Sequence, residues 1–217
     1  LIRGDCREVL PTLDPVNTVI ADPPYGVGLK AKRAYLGHRG RKTTMRPGQY
    51  GHPDTPEYLQ TVILPSLNAC RKLADCMVVT PGIRHLWLYP AADDMGCFFS
   101  ASGTGIGKWG FTCSQPILFY GKDPYLTHGL GSRPNSCGQT YPNDANTVDH
   151  PCAKPLPMMR WLVNRASLEG MTVLDPLAGA CTTGVACVQL RRAFIGIELN
   201  PYWWELGCKR IEQAYAQ

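Results

Sequence analysis

The hexapeptide Ala21-Asp22-Pro23-Pro24-Tyr25-Gly26 follows directly on the apolar run Asn17-Thr18-Val19-Ile20. Two consecutive prolines donate no backbone hydrogen bond and hold φ near about −65°. A strand over Thr18–Ala21 must therefore stop at Asp22. The stop leaves three useful groups side by side: the Asp22 carboxylate accepts hydrogen bonds, the Pro23-Pro24 elbow aims the Pro23 carbonyl, and Tyr25 offers a ring face. Taken alone, that set suits a site that handles an amine.

A second constellation lies downstream. Thr172–Gly184 ("TVLDPLAGACTTG") reads as strand, acid, tight turn and helix. In a parallel α/β sheet, ligands bind beyond the carboxyl ends of strands, against amides of the following turn. Asp175 ends that strand, and Leu177, Gly179, Ala180, Thr182 and Thr183 occupy the turn and helix start. The run "FIGIEL" then puts Glu198 and Leu199 at the end of the next strand, where a carboxylate can accept from two ribose hydroxyls. The turn does not fit a G-x-G-x-x-G fingerprint, so any adenosine-bearing cofactor remains open. Ser102–Gly110 ("SGTGIGKWG") imitates a phosphate loop, but Ser102 and Trp109 stand where that loop needs Gly and Ser or Thr. It reads as a glycine hairpin or a substrate loop.

The elements that must hold these residues alternate. Strands are expected over Leu1–Gly4, Thr18–Ala21, Cys76–Thr80, Gly96–Ser100, Gln115–Tyr120, Thr172–Asp175 and Ala193–Glu198. Helices are expected over Cys6–Leu13, Thr55–Leu73 (kinked or broken at Pro65), Ile83–Leu88, Pro157–Ala166, Thr182–Arg191 and Tyr202–Ala214. Such alternation predicts a parallel, doubly wound sheet with helices on both faces. The 217 residues, 44% apolar, suffice for one such domain spanning 1–217.

No apolar run is long enough for a membrane-spanning helix, and "LIRGDCREVL" lacks a signal pattern. The ten cysteines include no C-x-x-C pair, so they predict reduced, structural thiols of a cytoplasmic protein and no metal site. The net charge of +5 is unevenly spread. From Gly26 to Pro53 there is no acid, yet Lys30, Lys32, Arg33, Arg39, Arg41, Lys42 and Arg46 fall there. This segment, 26–53, reads as a basic loop for a polyanion. The polar stretch 122–149 reads as an insertion or substrate-facing loop.

Four segments, "RGDCREVLPTL", "ADPPYG", "HPCAKP" and "LDPLAGACTTG" with "IELN", together resemble the amino-methyltransferases of DNA. More narrowly, they resemble the β class, in which the catalytic motif precedes the cofactor motif. Cys152 stands where Thr is usual, and Ala180-Cys181 replace Ser-Gly in the cofactor turn. The resemblance implies a Rossmann-like, circularly permuted fold: a mostly parallel seven-stranded sheet with one antiparallel strand and neighbouring termini.

It also implies S-adenosylmethionine as cofactor. Asp5 would accept from its adenine amino group beside the Cys6 backbone, Asp175 and the Leu177–Thr183 turn would hold the methionine end, and Glu198 the ribose. His150, Cys152 and Lys154 would close the pocket near the methionine portion. Asp22, Pro23, Pro24 and Tyr25 would clamp the exocyclic amine of a flipped base, and the basic loop would neutralise phosphates of double-stranded DNA. Asp22 points to adenine N6 ahead of cytosine N4. An RNA adenine methylase and a non-catalytic subunit are the other readings. With only 122–149 available for target recognition, a short target, relaxed specificity, or recognition completed by a second copy, a separate specificity subunit or missing termini is expected.

Overall fold

The computed structural model describes residues 1–28, 35–36, 42–43, 52–101, 105–139, 150 and 152–216. In chain order the elements are β1 (Ile2–Arg3), α1 (Cys6–Val9), β2 (Val16–Ala21), β3 (Tyr35–Leu36), β4 (Lys42–Thr43), α2 (Pro56–Tyr58), α3 (Leu64–Cys70), β5 (Ala74–Val79) and β6 (Asp94–Ser100). There follow β7 (Gly105–Gly107), β8 (Gly110–Thr112), β9 (Ser114–Gly121), α4 (Pro124–Thr127), β10 (Cys137–Gln139), α5 (Leu156–Ala166), β11 (Thr172–Asp175), α6 (Thr182–Gln189), β12 (Ala193–Glu198) and α7 (Pro201–Tyr215).

The central sheet runs β1-β12-β11-β2-β5-β9-β6-β10. β9 is antiparallel to both of its neighbours, and the other described pairs in this sheet are parallel. Central parallel strands are covered on both faces, which is why β2, β5 and β11 read as continuous apolar runs rather than alternating ones. Val19, Val78, Val173 and Leu174 are fully buried. One face packs Leu10, Leu59, Ile63 and Leu67; the other packs Met158, Leu162, Val163, Ala186 and Cys187. The doubly wound layering expected from the alternation is present.

The chain's first strand joins its last. Ile2 pairs with Ile197 and Arg3 with Glu198, and the Trp204 indole N–H donates to the Leu1 carbonyl at 3.3 Å. This is the neighbourhood that a permuted motif order requires.

Three expectations are corrected. The helix foreseen over Thr55–Leu73 is α2, a π-helical turn at Leu59–Ile63, and α3. Pro65 has no N–H to return to the preceding turn, so the ladder widens there. The helix foreseen at Ile83–Leu88 is only a 3-10 turn, Leu86–Leu88, because Pro81-Gly82 precede it, with Gly82 at φ +68°, and Pro90 follows soon after. The polar insertion is not all loop. Asp123 caps α4, and β10 adds an eighth strand beside β6, with Cys137 opposite Phe98. Gly96 permits that docking, since a Cβ there would lie 1.7 Å from the Asn135 carbonyl oxygen. Residues 140–149 lie outside the described residues. The glycine-rich segment does form a hairpin, β7 against β8. No helix among the described residues is long and apolar enough to cross a membrane.

Candidate active site

The carboxyl ends of β2, β5, β11 and β12 share one rim of the sheet. Ala21 is in register with Val79, and Thr80 N–H donates to the Ala21 carbonyl at 3.0 Å, carrying the ladder one step beyond the strands. That step aims the Thr80 hydroxyl at Asp22 Oδ1, 2.6 Å away. The Tyr25 hydroxyl donates to the same oxygen at 3.0 Å, and Lys154 Nζ donates to Oδ2 at 2.6 Å. Lys154 also stands 5.0 Å from the Tyr25 ring centroid. Gln115 Nε2 donates to the Tyr25 hydroxyl.

The elbow is clamped from behind. Gly26 N–H donates to Asp54 Oδ1 and Gly28 N–H to the Asp54 carbonyl, each at 2.7 Å. The His85 ring donates from Nε2 to the Gly26 carbonyl at 3.2 Å. Gly82 must be glycine, because at φ +68° a Cβ would come within 2.8 Å of Tyr25 Cγ. Burial and the Asp22 charge raise the Tyr25 hydroxyl, keeping it a neutral donor. Burial alone would lower the Lys154 ammonium, but the charge of Asp22 outweighs it and raises it.

On the neighbouring strand the acids are held by their own loop. Asp175 Oδ1 accepts from Leu177 N–H at 3.1 Å and Oδ2 from the Thr183 hydroxyl at 2.6 Å. Burial pushes its carboxyl up to about 7, against the lowering by those two donors. Glu198 takes Gly179 N–H on Oε2 at 2.8 Å and Asn200 N–H on Oε1 at 2.7 Å. The Leu199 N–H also acts on this carboxylate, which keeps lone-pair capacity for a ribose hydroxyl. Arg210 of α7 donates to the Ala180 carbonyl, and to the Thr182 hydroxyl at 3.2 Å.

Cys181 adopts the left-handed conformation at φ +57°, where glycine is the unstrained residue. Its side chain fits because α7 presents Gly207, whose added Cβ would meet Cys181 Sγ at 2.5 Å.

His150 joins the two halves. Its Nδ1 accepts from Cys152 N–H at 3.2 Å, its ring lies edge-on to Trp203 at 4.5 Å, and its Nε2 would be 3.4 Å from a Cβ on Gly179. Burial lowers it to about 4, so it is neutral at ordinary pH.

The structure thus brings Asp22, Pro23, Pro24, Tyr25, His150, Cys152, Lys154, Asp175, Leu177, Gly179, Ala180, Thr182, Thr183 and Glu198 to one rim. Two of the expected site residues have partners that the sequence reading did not weigh. Lys154 is paired with Asp22 instead of facing the cofactor turn. Asp5 caps α1 and holds Arg7 through both oxygens, with Arg7 Nη2 at 2.5 Å, so its acceptors are engaged by a neighbouring cation. The Cys6 side chain is buried and donates to the Ser66 hydroxyl at 3.6 Å. Leu199 is 45% exposed beside Glu198. Lys30, Lys32, Arg33, Arg39, Arg41 and Arg46 lie outside the described residues, as does the side chain of Lys42 in β4. Thr80, Gln115, Asp54, His85 and Arg210 were missed by sequence reasoning. Only Thr80 carried a signal, since Thr80-Pro81 repeats the acceptor-strand-then-proline grammar of Asp22-Pro23.

Comparison with known proteins agrees with this geometry. The family model described as DNA methylase matches residues 107–207. The DNA adenine methyltransferase YhdJ of Escherichia coli K12 is 38% identical over 66 residues, which are 30% of this chain and 22% of that protein. The type II methyltransferase M.SmaI of Serratia marcescens is 46% identical over 57 residues, 26% of this chain and 20% of its own length. These aligned segments span about a fifth of the two relatives. Among solved structures, the M1.HpyAVI–SAM complex superposes with a TM-score of 0.67 at 17% identity, covering 97% of each chain. The cytosine-N4-specific PvuII DNA methyltransferase gives 0.63 at 15% identity, covering 99% of this chain and 90% of the other. Likeness at such identity shows the fold, a Rossmann-like sheet. The DNA methylase match over residues 107–207, with the elbow on the strand beside β11, supports an amino-methyltransferase of the N6/N4 type.

Proposed function

We propose that this chain transfers a methyl group from S-adenosylmethionine to the exocyclic N6 of adenine in double-stranded DNA, acting on a base swung out of the duplex. One observation carries the reading: Asp22 and Tyr25 stand at the end of the strand adjoining the one that ends in Asp175, on the rim that also holds Glu198. The bound cofactor supplies an electrophilic methyl on a sulfonium. Glu198 offers its remaining lone-pair capacity to the ribose, and Asp175 with the Leu177–Thr183 turn receives the methionine end. His150, neutral and packed on Trp203, closes over Gly179.

The amine's lone pair is delocalised into its ring, so the site needs positioning more than a strong base. Asp22 accepts one N–H and the Pro23 carbonyl the other, which turns the nitrogen lone pair out of the ring plane. Tyr25 supplies the stacking face, and fixed acceptors cost no reorganisation at the moment of transfer. Extruding the base costs roughly a few kcal/mol, offset by these contacts. The acid-free basic segment 26–53 provides phosphate contacts whose affinity falls steeply with salt. Asp22, in place of the Ser more often found in cytosine-N4 enzymes of this class, supports adenine.

Digestion of a random-sequence duplex after incubation with cofactor, followed by mass spectrometry of the nucleosides, tests the reading. N6-methyladenine is expected. N4-methylcytosine overturns the base assignment, methylated RNA alone overturns the polymer, and no calorimetric heat with S-adenosylmethionine overturns the enzyme.

A further inference from the structure

We infer that Lys154 is a positioning residue that, in the free site, competes with a target base for Asp22 and the Tyr25 ring and retracts as the base enters. The inference rests on the roles given above to Asp22 and Tyr25. A carboxylate oxygen accepts about two hydrogen bonds. Oδ1 of Asp22 is filled by the hydroxyls of Thr80 and Tyr25. An incoming N–H must therefore go to Oδ2, where Lys154 Nζ already takes one of the two places at 2.6 Å. The same ammonium lies 5.0 Å from the Tyr25 ring centroid, over the surface a base would stack on, while Gly82 crowds the ring at Cγ. One group thus takes up part of the acceptor and stands beside the stacking ring.

The arrangement has a physical reason. Asp22 and Lys154 side chains are only 22% and 13% exposed, and a carboxylate withdrawn from water without a partner is costly. Lys154 satisfies it while the site is empty, and its long flexible stem lets the ammonium retract without moving the backbone. The exchange also discriminates. A base with an amino group offers N–H donors and a ring in return for the ammonium. A base with a carbonyl at that place offers Asp22 no donor, so Lys154 stays.

Steady-state methylation of a random-sequence duplex at saturating cofactor, compared across pH for wild type, Lys154→Met and Lys154→Arg, tests the role. In the Met variant the KM for DNA is expected to fall several-fold at alkaline pH, because nothing competes for Oδ2. The Arg variant keeps the cation and is expected to keep the wild-type KM.

The other ionisable groups in electrostatic reach of Asp22 are Tyr25, Tyr89, His150 and Asp175. Burial keeps both tyrosines and His150 neutral and pushes the Asp175 carboxyl up to about 7. The pH dependence of KM is therefore read as the difference from wild type. A Met variant with unchanged KM and pH profile overturns the inference, as does one whose KM rises together with the calorimetric Kd for cofactor, which would make Lys154 an ordinary binding residue. Should the Met variant fail to fold, Lys154→Gln carries the same comparison. A wild type that methylates no nucleic acid fails the functional reading itself; an active wild type with an indifferent Lys154 variant fails only this inference.

Discussion

The turn after β11 and the elbow after β2 stand on adjoining strands, yet they are held in place by different kinds of neighbour. On the cofactor side, Asp175 is bonded by residues two and eight positions away, and Glu198 by residues two and nineteen away. On the target side, Asp22 and Tyr25 are bonded by Thr80, Gln115 and Lys154, at separations of 58, 90 and 132 residues. A site fixed by its own loop survives distant change. A site assembled from four parts of the chain has its geometry set by the whole fold, and each part is a separate point of failure.

The comparison can be broken from either side. Asp22→Ala is expected to abolish methyl transfer while cofactor affinity, measured by calorimetry, stays within about tenfold, or about 1.4 kcal/mol; an active variant would remove Asp22 from the chemistry. Gly82→Ala drives a methyl into the Tyr25 ring at an unfavourable φ. It should cost roughly 1–3 kcal/mol in thermal or denaturant unfolding and most of the turnover, again with cofactor binding kept. Thr80→Val removes a buried donor to a carboxylate, a bond worth about 1.5–3 kcal/mol. A fall in kcat of about tenfold or more is expected, with little change in the Kd for cofactor.

Two smaller tests address the cofactor side. Burial holds the Asp175 carboxyl at about 7 in the folded chain, so the folded state binds that proton more tightly than the unfolded one. Its contribution to stability is present in acid and is lost as pH rises from the ordinary carboxylate range through about 7. Melting curves of the cofactor-free chain should show that decline, and Asp175→Asn should flatten it. A variant with the wild-type slope would assign the titration elsewhere. Gly207→Ala should cost about 1–3 kcal/mol through the clash with Cys181 Sγ, and Cys181→Gly should restore most of it in a double-mutant cycle. Additive costs would show that the two residues do not share one space.

What the sequence revealed follows the same division. Thr172–Asp175 and Ala193–Glu198 form strands at the expected bounds, because an unbroken apolar run, a terminal acid and a following turn are all local signals. The elbow was legible for the same reason, since Pro23-Pro24 end β2 whatever surrounds them. Its supports were not. Nothing near Gln115 announces a partner for the Tyr25 hydroxyl, and nothing in His150–Pro155 distinguishes a lysine facing a cofactor from one facing Asp22. The pairing of Asp5 was not foreseen, although Arg7, two residues on, is an equally local partner for its carboxylate. β10 was hidden because three residues of a polar stretch become a strand only through Gly96 and its neighbours in β6.

The pairing of β1 with β12 sets an order on biosynthesis. Strands β2, β5, β9 and β6 carry most of the target side and neighbour one another in the sheet, so they can begin to associate while the chain is still being made. The strand Ile2–Arg3 leaves the ribosome early but finds its partner, Ile197–Glu198, only near the end of this sequence. Pairings so distant in sequence form slowly. A nascent chain would therefore carry the elbow at the end of β2 well before the rim beside it is complete, and the proposed methyl transfer would have to wait for the closing of one sheet edge.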